Sequence, residues 1–155
     1  MSRAQRYKGG KDKCDSGAFL RLPLSVLNSR AYLDAGPHAR MLLLDLAAQY
    51  KGDNNGDLAA SWTLMQRRGW RSKETLTAAK RELIALELIV ETRMGARPNK
   101  ASLYACTWWA LDECGGKLEL LPKHFPRGAY RLRDPVPQPG RKIAALSPVA
   151  VPRPP

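Results

Sequence analysis

The stretch Arg67–Ile89, RRGWRSKETLTAAKRELIALELI, decides the fold of this chain, because it holds a helix stop and a helix start only three residues apart. Gly69 suits the left-handed backbone that ends a helix, and Ser72 suits an N-cap whose hydroxyl accepts a first-turn N–H. Glu74 follows where the positive end of a helix dipole favours an acid, and Leu76, Ala79, Leu83 and Leu86 recur at helical spacing as an inward stripe. One helix does not need two start signals so close together. The spacing predicts a short helix capped by Ser61 over about residues 61–68, a turn of Gly69, Trp70 and Arg71, and a long helix over Ser72–Glu87.

Working outward, "PHARMLLLDLAAQYKG" opens with Pro37 in a first helical turn and places Ala39, Leu43, Leu46 and Tyr50 three and four apart. Leu42 and Leu44 make it apolar over most of its circumference, so it is expected to be the central helix. Before it, "FLRLPLSVLNSRAYLDAG" predicts a short extended entry and a first helix that starts near Pro23, has Leu24, Val26, Leu27, Ala31 and Leu33 as its apolar positions, and is stopped by Gly36. "DNNGDL" is a turn, since Asn and Gly tolerate positive φ, and the "DLAA" that overlaps its end can pair as a brief strand. After the long helix, "LELIVETRMG" and "KASLYACTWWAL" are rich in Val, Ile, Thr, Tyr and Trp and predict an antiparallel hairpin around the basic tip "MGARPNK".

Helix, helix, short strand, short helix, tight turn, long helix and ribbon is the order of a winged helix-turn-helix. The expected class is α+β, mainly α, with a two- or three-stranded antiparallel β wing and flexible basic termini. Domain limits follow composition: a flexible basic arm over 1–18, the winged domain over 19–122, and a basic, Pro-rich, disordered tail over 123–155.

Charge is distributed in the same pattern. The chain has 26 Lys and Arg against 14 Asp and Glu, a formal +12. Residues 61–100 carry nine cationic side chains against four acids, and both ends are basic, whereas 14–60 and 101–122 together hold five against eight. A basic segment that coincides with the two-helix signal on a slightly acidic body is the footprint of a polyanion-binding face. Rotating the long helix at about 100° per residue puts Glu74, Thr77, Ala78, Arg81 and Ala85 opposite the Leu stripe, with Lys73 and Lys80 at the margins. Small residues permit close approach to base edges, and Arg can donate to guanine. The expected reading surface is therefore Arg71, Ser72, Lys73, Thr77, Lys80 and Arg81, and the expected wing contacts are Arg93, Arg97, Asn99 and Lys100.

The segment "FLRLPLSVLNSRAYLDAGPHARMLLLDLAAQYKGDNNGDLAAS", the helix "GWRSKETLTAAKRELIALELI" and the strand "KASLYACTWWAL" resemble the small winged helix-turn-helix proteins of proteobacterial plasmids, phages and integrated elements, over about residues 19–112. The resemblance extends weakly to DNA-binding domains of phage and plasmid replication proteins. It implies sequence-specific binding of double-stranded DNA, as a transcriptional regulator acting by operator occupancy. The alternatives are a replication-associated protein binding origin repeats and a winged protein-interaction module. One such unit reads few base pairs, so a homodimer or repeated sites are expected, and the tails are candidates for holding a replication or transcription protein.

Other chemistries find little support. Cys14, Cys106, Cys114, His38 and His124 lack metal-ligand spacing, there is no phosphate-cradling glycine loop, and no nucleophile–base order stands out. No metal, cofactor or enzymatic activity is expected. No apolar run reaches the ~20 residues of a membrane span, and the N-terminus lacks the apolar segment of a secretory signal, so a cytoplasmic protein with reduced cysteines is expected. Trp62 and Trp108 are read as core, Trp70 as the residue that fixes the angle between the two helices, and Cys106 as a small buried strand residue.

Overall fold

The computed structural model describes residue 15 and residues 17–134. Most of the expected arm and the tail from residue 135 lie outside the described residues. The fold is α+β, with α-helices grouped around a small, open, antiparallel sheet of three strands.

The predicted first helix is two short ones, α1 (Leu24–Leu27) and α2 (Arg30–Asp34). Ser29 breaks it: its hydroxyl donates to the Val26 carbonyl at 2.6 Å and accepts the Tyr32 N–H at 3.2 Å, closing one helix and capping the next. Splitting the helix changes which side chains face inward. Of the apolar positions, Val26 and Ala31 are buried, but Leu24 and Leu33 are exposed. The central helix, α3 (Pro37–Ala47), behaves as its composition demands. Leu42, Leu43 and Leu46 have no exposed surface, each contributing about 1.5–3 kcal/mol by burial, while Met41 and Leu44 look outward.

Strand β1 (Leu58–Ala59) leads to α4 (Trp62–Arg67) and α5 (Lys73–Ala85), each capped by the expected serine: Ser61 accepts from Leu64 N at 3.4 Å and Ser72 from Thr75 N at 3.2 Å. The two helices end alike. Gly69 N–H reaches Gln66 O and Trp70 N–H reaches Met65 O, both at 3.1 Å; Glu87 N–H reaches Ile84 O at 3.0 Å and Leu88 N–H reaches Leu83 O at 3.1 Å. This paired closure requires a left-handed residue, supplied by Gly69 at φ +94° and by Glu87 at φ +59°. Only the first is a glycine. Relieving a left-handed side chain gains roughly 1–2 kcal/mol, more than the roughly 0.5–1 kcal/mol that glycine's freedom costs. Glu87→Gly is therefore expected to raise stability on the order of 0.5 kcal/mol, read as a higher urea midpoint with an unchanged slope.

Strands β2 (Ile89–Arg93) and β3 (Leu103–Cys106) form the ribbon, and β1 pairs with β3 on its other edge, giving the order β1-β3-β2. A bulge at Thr92 shifts the register between Glu91, opposite Tyr104, and Arg93, opposite Leu103. It leaves the Thr92 carbonyl free of the ladder, where it accepts from Glu119 N at 2.9 Å and Leu120 N at 3.0 Å.

The tail begins later than composition indicated. Residues 123–134, grouped with the disordered segment from sequence, pack onto the body through a 3₁₀ turn at Ala129–Arg133. Tyr130 is 2% exposed, its hydroxyl lies 3.2 Å from Ser25 Oγ, and Gly128 N–H donates to Thr107 O at 2.7 Å. Asp134 accepts the Arg30 N–H at the start of α2 at 3.0 Å. Short apolar pieces among Pro and Arg hid this, because no period announces a turn that docks through one aromatic side chain.

Candidate nucleic-acid interface

The turn between α4 and α5 is held from α3. Asp45, 8% exposed, accepts the indole N–H of buried Trp70 at 2.8 Å on one carboxylate oxygen and Arg68 Nε at 2.9 Å on the other. An anion inside an apolar helix needs such donors, since an unpaired buried charge is costly. Trp70 thus fixes the turn as read from sequence, but through a polar bond that sequence reasoning missed. "LLLDLAA" carried the signal: one acid among six apolar residues.

A second acid fixes α5 along its length. Glu82 accepts the Gly36 N–H at 2.7 Å, so a carboxylate from α5 sits at the N-terminus of α3, where the helix dipole favours it. With Leu76, Ala79 and Leu83 buried beneath, the inner face of α5 is committed. What remains outside is the rotated face: Lys73, Glu74, Thr77, Ala78, Arg81 and Ala85 are all exposed.

The candidate residues divide by what already holds them. Arg71, Thr77, Arg81, Arg97 and Asn99 are exposed, and their side chains make no hydrogen bond or ion pair among the described residues. Lys73 extends over the Trp62 ring, 5.8 Å from its centroid, which steadies the stem of the cation at the start of α5. Ser72 is occupied as a cap, and its hydroxyl donates to Glu74 at 3.1 Å. That bond, after the contribution of Glu74's own backbone N–H, holds the Glu74 carboxyl below its usual range. Lys80 is half-buried and donates to the Ala60 carbonyl at 3.2 Å; burial lowers its ammonium pKa, against the opposing pull of Glu91. The ammonium braces α5 against the segment that follows β1.

The β2–β3 ribbon is drawn tight at its end. Ala96 and Lys100 exchange backbone bonds at 2.8 Å in each direction, leaving Arg97, Pro98 and Asn99 as the tip. Below it, Gly95 approaches so closely that a Cβ would stand 2.9 Å from Ser102 N. Arg93 folds across the ribbon with Nε at 3.3 Å and Nη2 at 2.9 Å from the Ala101 carbonyl, and Lys100 pairs with Glu119. Of the four wing residues singled out in the sequence, two are therefore engaged within the protein. Glu119 was not foreseen, because nothing local marks an acid 19 residues away as a partner of Lys100.

Among the described residues no group of three or more His, Cys, Asp or Glu could hold a metal ion. Cys106 is buried, as read, and burial pushes its thiol pKa far up. No described helix is long and apolar enough to cross a membrane. In comparison with known proteins, no family model matches this chain, and no curated protein or solved structure matches it either.

Proposed function

We propose that this chain is a winged helix-turn-helix protein that binds double-stranded DNA sequence-specifically, with α5 in the major groove and the β2–β3 ribbon as the wing. The observation that carries the reading is the contrast between the two sides of α5. Its inner side is locked by Leu76, Ala79, Leu83 and Glu82, whereas Thr77, Ala78, Arg81 and Ala85 stand exposed beside the unpaired cation Arg71. That outer face mixes small residues with the cations Lys73 and Arg81 and one acid, Glu74. A major groove about 12 Å wide admits such a helix, small residues let it approach, and Arg81 can donate in bidentate fashion to a guanine.

The mechanism proposed is occupancy of an operator or promoter, and the resemblance to plasmid and phage proteins supports a mobile-element setting. Two copies, or repeated sites, extend the short sequence that a single unit reads.

Selection of bound sequences from a random duplex pool tests this. A discrete motif is expected, bound with an affinity that falls steeply between ~50 and ~200 mM salt as counterion release loses its drive. Arg81→Ala or Thr77→Ala should each cost roughly 1–3 kcal/mol at the motif, about 10- to 100-fold in affinity, and relax selection at particular base pairs. A uniform loss on all sequences with the motif intact would remove α5 as the reading element.

A further inference from the structure

The wing uses its cations unequally, and one acid is the reason. Glu119 is positioned by the backbone: its N–H donates to Thr92 O at 2.9 Å and its Oε2 accepts the Met94 N–H at 3.1 Å, while Oε1 takes the Lys100 ammonium. Lys100 first, and then the Met94 N–H, hold this carboxyl below its usual range, so it is an anion wherever the protein is folded near neutrality. The Met94 N–H ties this carboxylate to the base of the ribbon, which opposes its swinging away as a phosphate approaches. Any phosphate that reaches Lys100 arrives beside a fixed negative charge.

We propose that Glu119 is an electrostatic brake on the wing: by occupying Lys100 it withholds one phosphate contact, and its charge opposes the phosphates next to it. This rests on the duplex-binding reading given above. The pair is exposed and water screens it, so DNA can displace the contact while the Met94 N–H keeps the anion at the base of the ribbon. The brake acts on the sequence-independent part of binding, which comes from the phosphate backbone. A chain of net charge +12 gains from it, because its affinity for bulk duplex would otherwise keep it away from its own site.

The test is fluorescence anisotropy of the full chain with a random-sequence duplex and with the selected duplex, each across a salt series. Glu119→Gln keeps an amide oxygen for the Met94 N–H and removes the charge. It is expected to bind both duplexes roughly 3- to 10-fold more tightly, with a salt slope steeper by about one contact. In a Lys100→Met background the gain from Glu119→Gln should shrink to less than half, which a purely structural role for Glu119 would not produce. Weaker binding by Glu119→Gln at an unchanged thermal midpoint would make the residue a brace and overturn the brake. Salt-dependent binding by the natural chain with no change in the variant would overturn the brake alone. Binding by neither protein to any duplex would overturn the DNA reading and the brake together.

Discussion

Asn55→Ala is expected to lower stability by about 4 kcal/mol, enough to remove most of the stability of a marginal fold. Asn55 has no exposed surface, and its amide is fully employed. Nδ2 donates to Cys106 O at 3.0 Å and to Ala110 O at 2.9 Å, and Oδ1 accepts the Cys106 N–H at 2.8 Å. Alanine removes three bonds and strands the buried N–H and carbonyl of Cys106, at about 1–3 kcal/mol for each unsatisfied group, while the carbonyl of exposed Ala110 can turn to water. Urea unfolding would measure the loss. A cost below ~1 kcal/mol would mean that water enters and substitutes for the amide. Asn55→Asp should be nearly as damaging, since it replaces both donors with a charge facing two carbonyls.

The second large effect centres on Asp45. Asp45→Ala is expected to cost about 3 kcal/mol: roughly 1.5–3 for the buried bond from Trp70 to a charged acceptor, and under about 1 for Arg68, whose side chain is half-exposed. The consequence for binding should exceed the consequence for folding. With Trp70 released, the turn Gly69–Arg71 loses its tether to α3, and under the proposed duplex-binding reading α5 should no longer meet a groove at one fixed angle. At a temperature where the variant remains folded, affinity for the selected motif should fall at least about 10-fold while binding to random duplex changes little, since phosphate contacts tolerate a tilt that base contacts do not. Asp45→Asn can still accept the Trp70 N–H and should cost only about 1 kcal/mol. Equal losses on motif and random duplex would show that the turn does not set the reading angle.

What could be read in advance was local. Ser61 and Ser72 cap the helices they precede, Gly69 ends the short helix, and the Leu76–Ala79–Leu83–Leu86 stripe faces inward because these features depend on neighbours three or four residues away. The exposed face of α5 follows from the stripe by rotation alone. The partners of polar residues were not legible. Asn55 acts on residues 51 and 55 positions downstream, Asp45 on one 25 downstream, and Glu119 on one 19 upstream. "DNNGDL" advertises a turn, and Gly56 has the positive φ such turns use, but no spacing says that the second Asn is the bolt of the sheet. The first helix was misread for a related reason. Ser29 lies in an otherwise helical apolar period, and only the carbonyl of Val26 above it and the N–H of Tyr32 below reveal that it ends one helix and starts another.

The docking of Tyr130 imposes an order on synthesis. Ser25 and the start of α2 leave the ribosome ahead of the rest of the described helices, yet their partners Tyr130 and Asp134 lie 105 and 104 positions later. While the chain is being made, α1 and α2 must wait with one side uncovered, even after α3, α5 and the sheet have enough chain to assemble. The first two described helices are thus the last to be completed, and a nascent chain halted before residue 130 presents that uncovered side to whatever protein or chaperone meets it first.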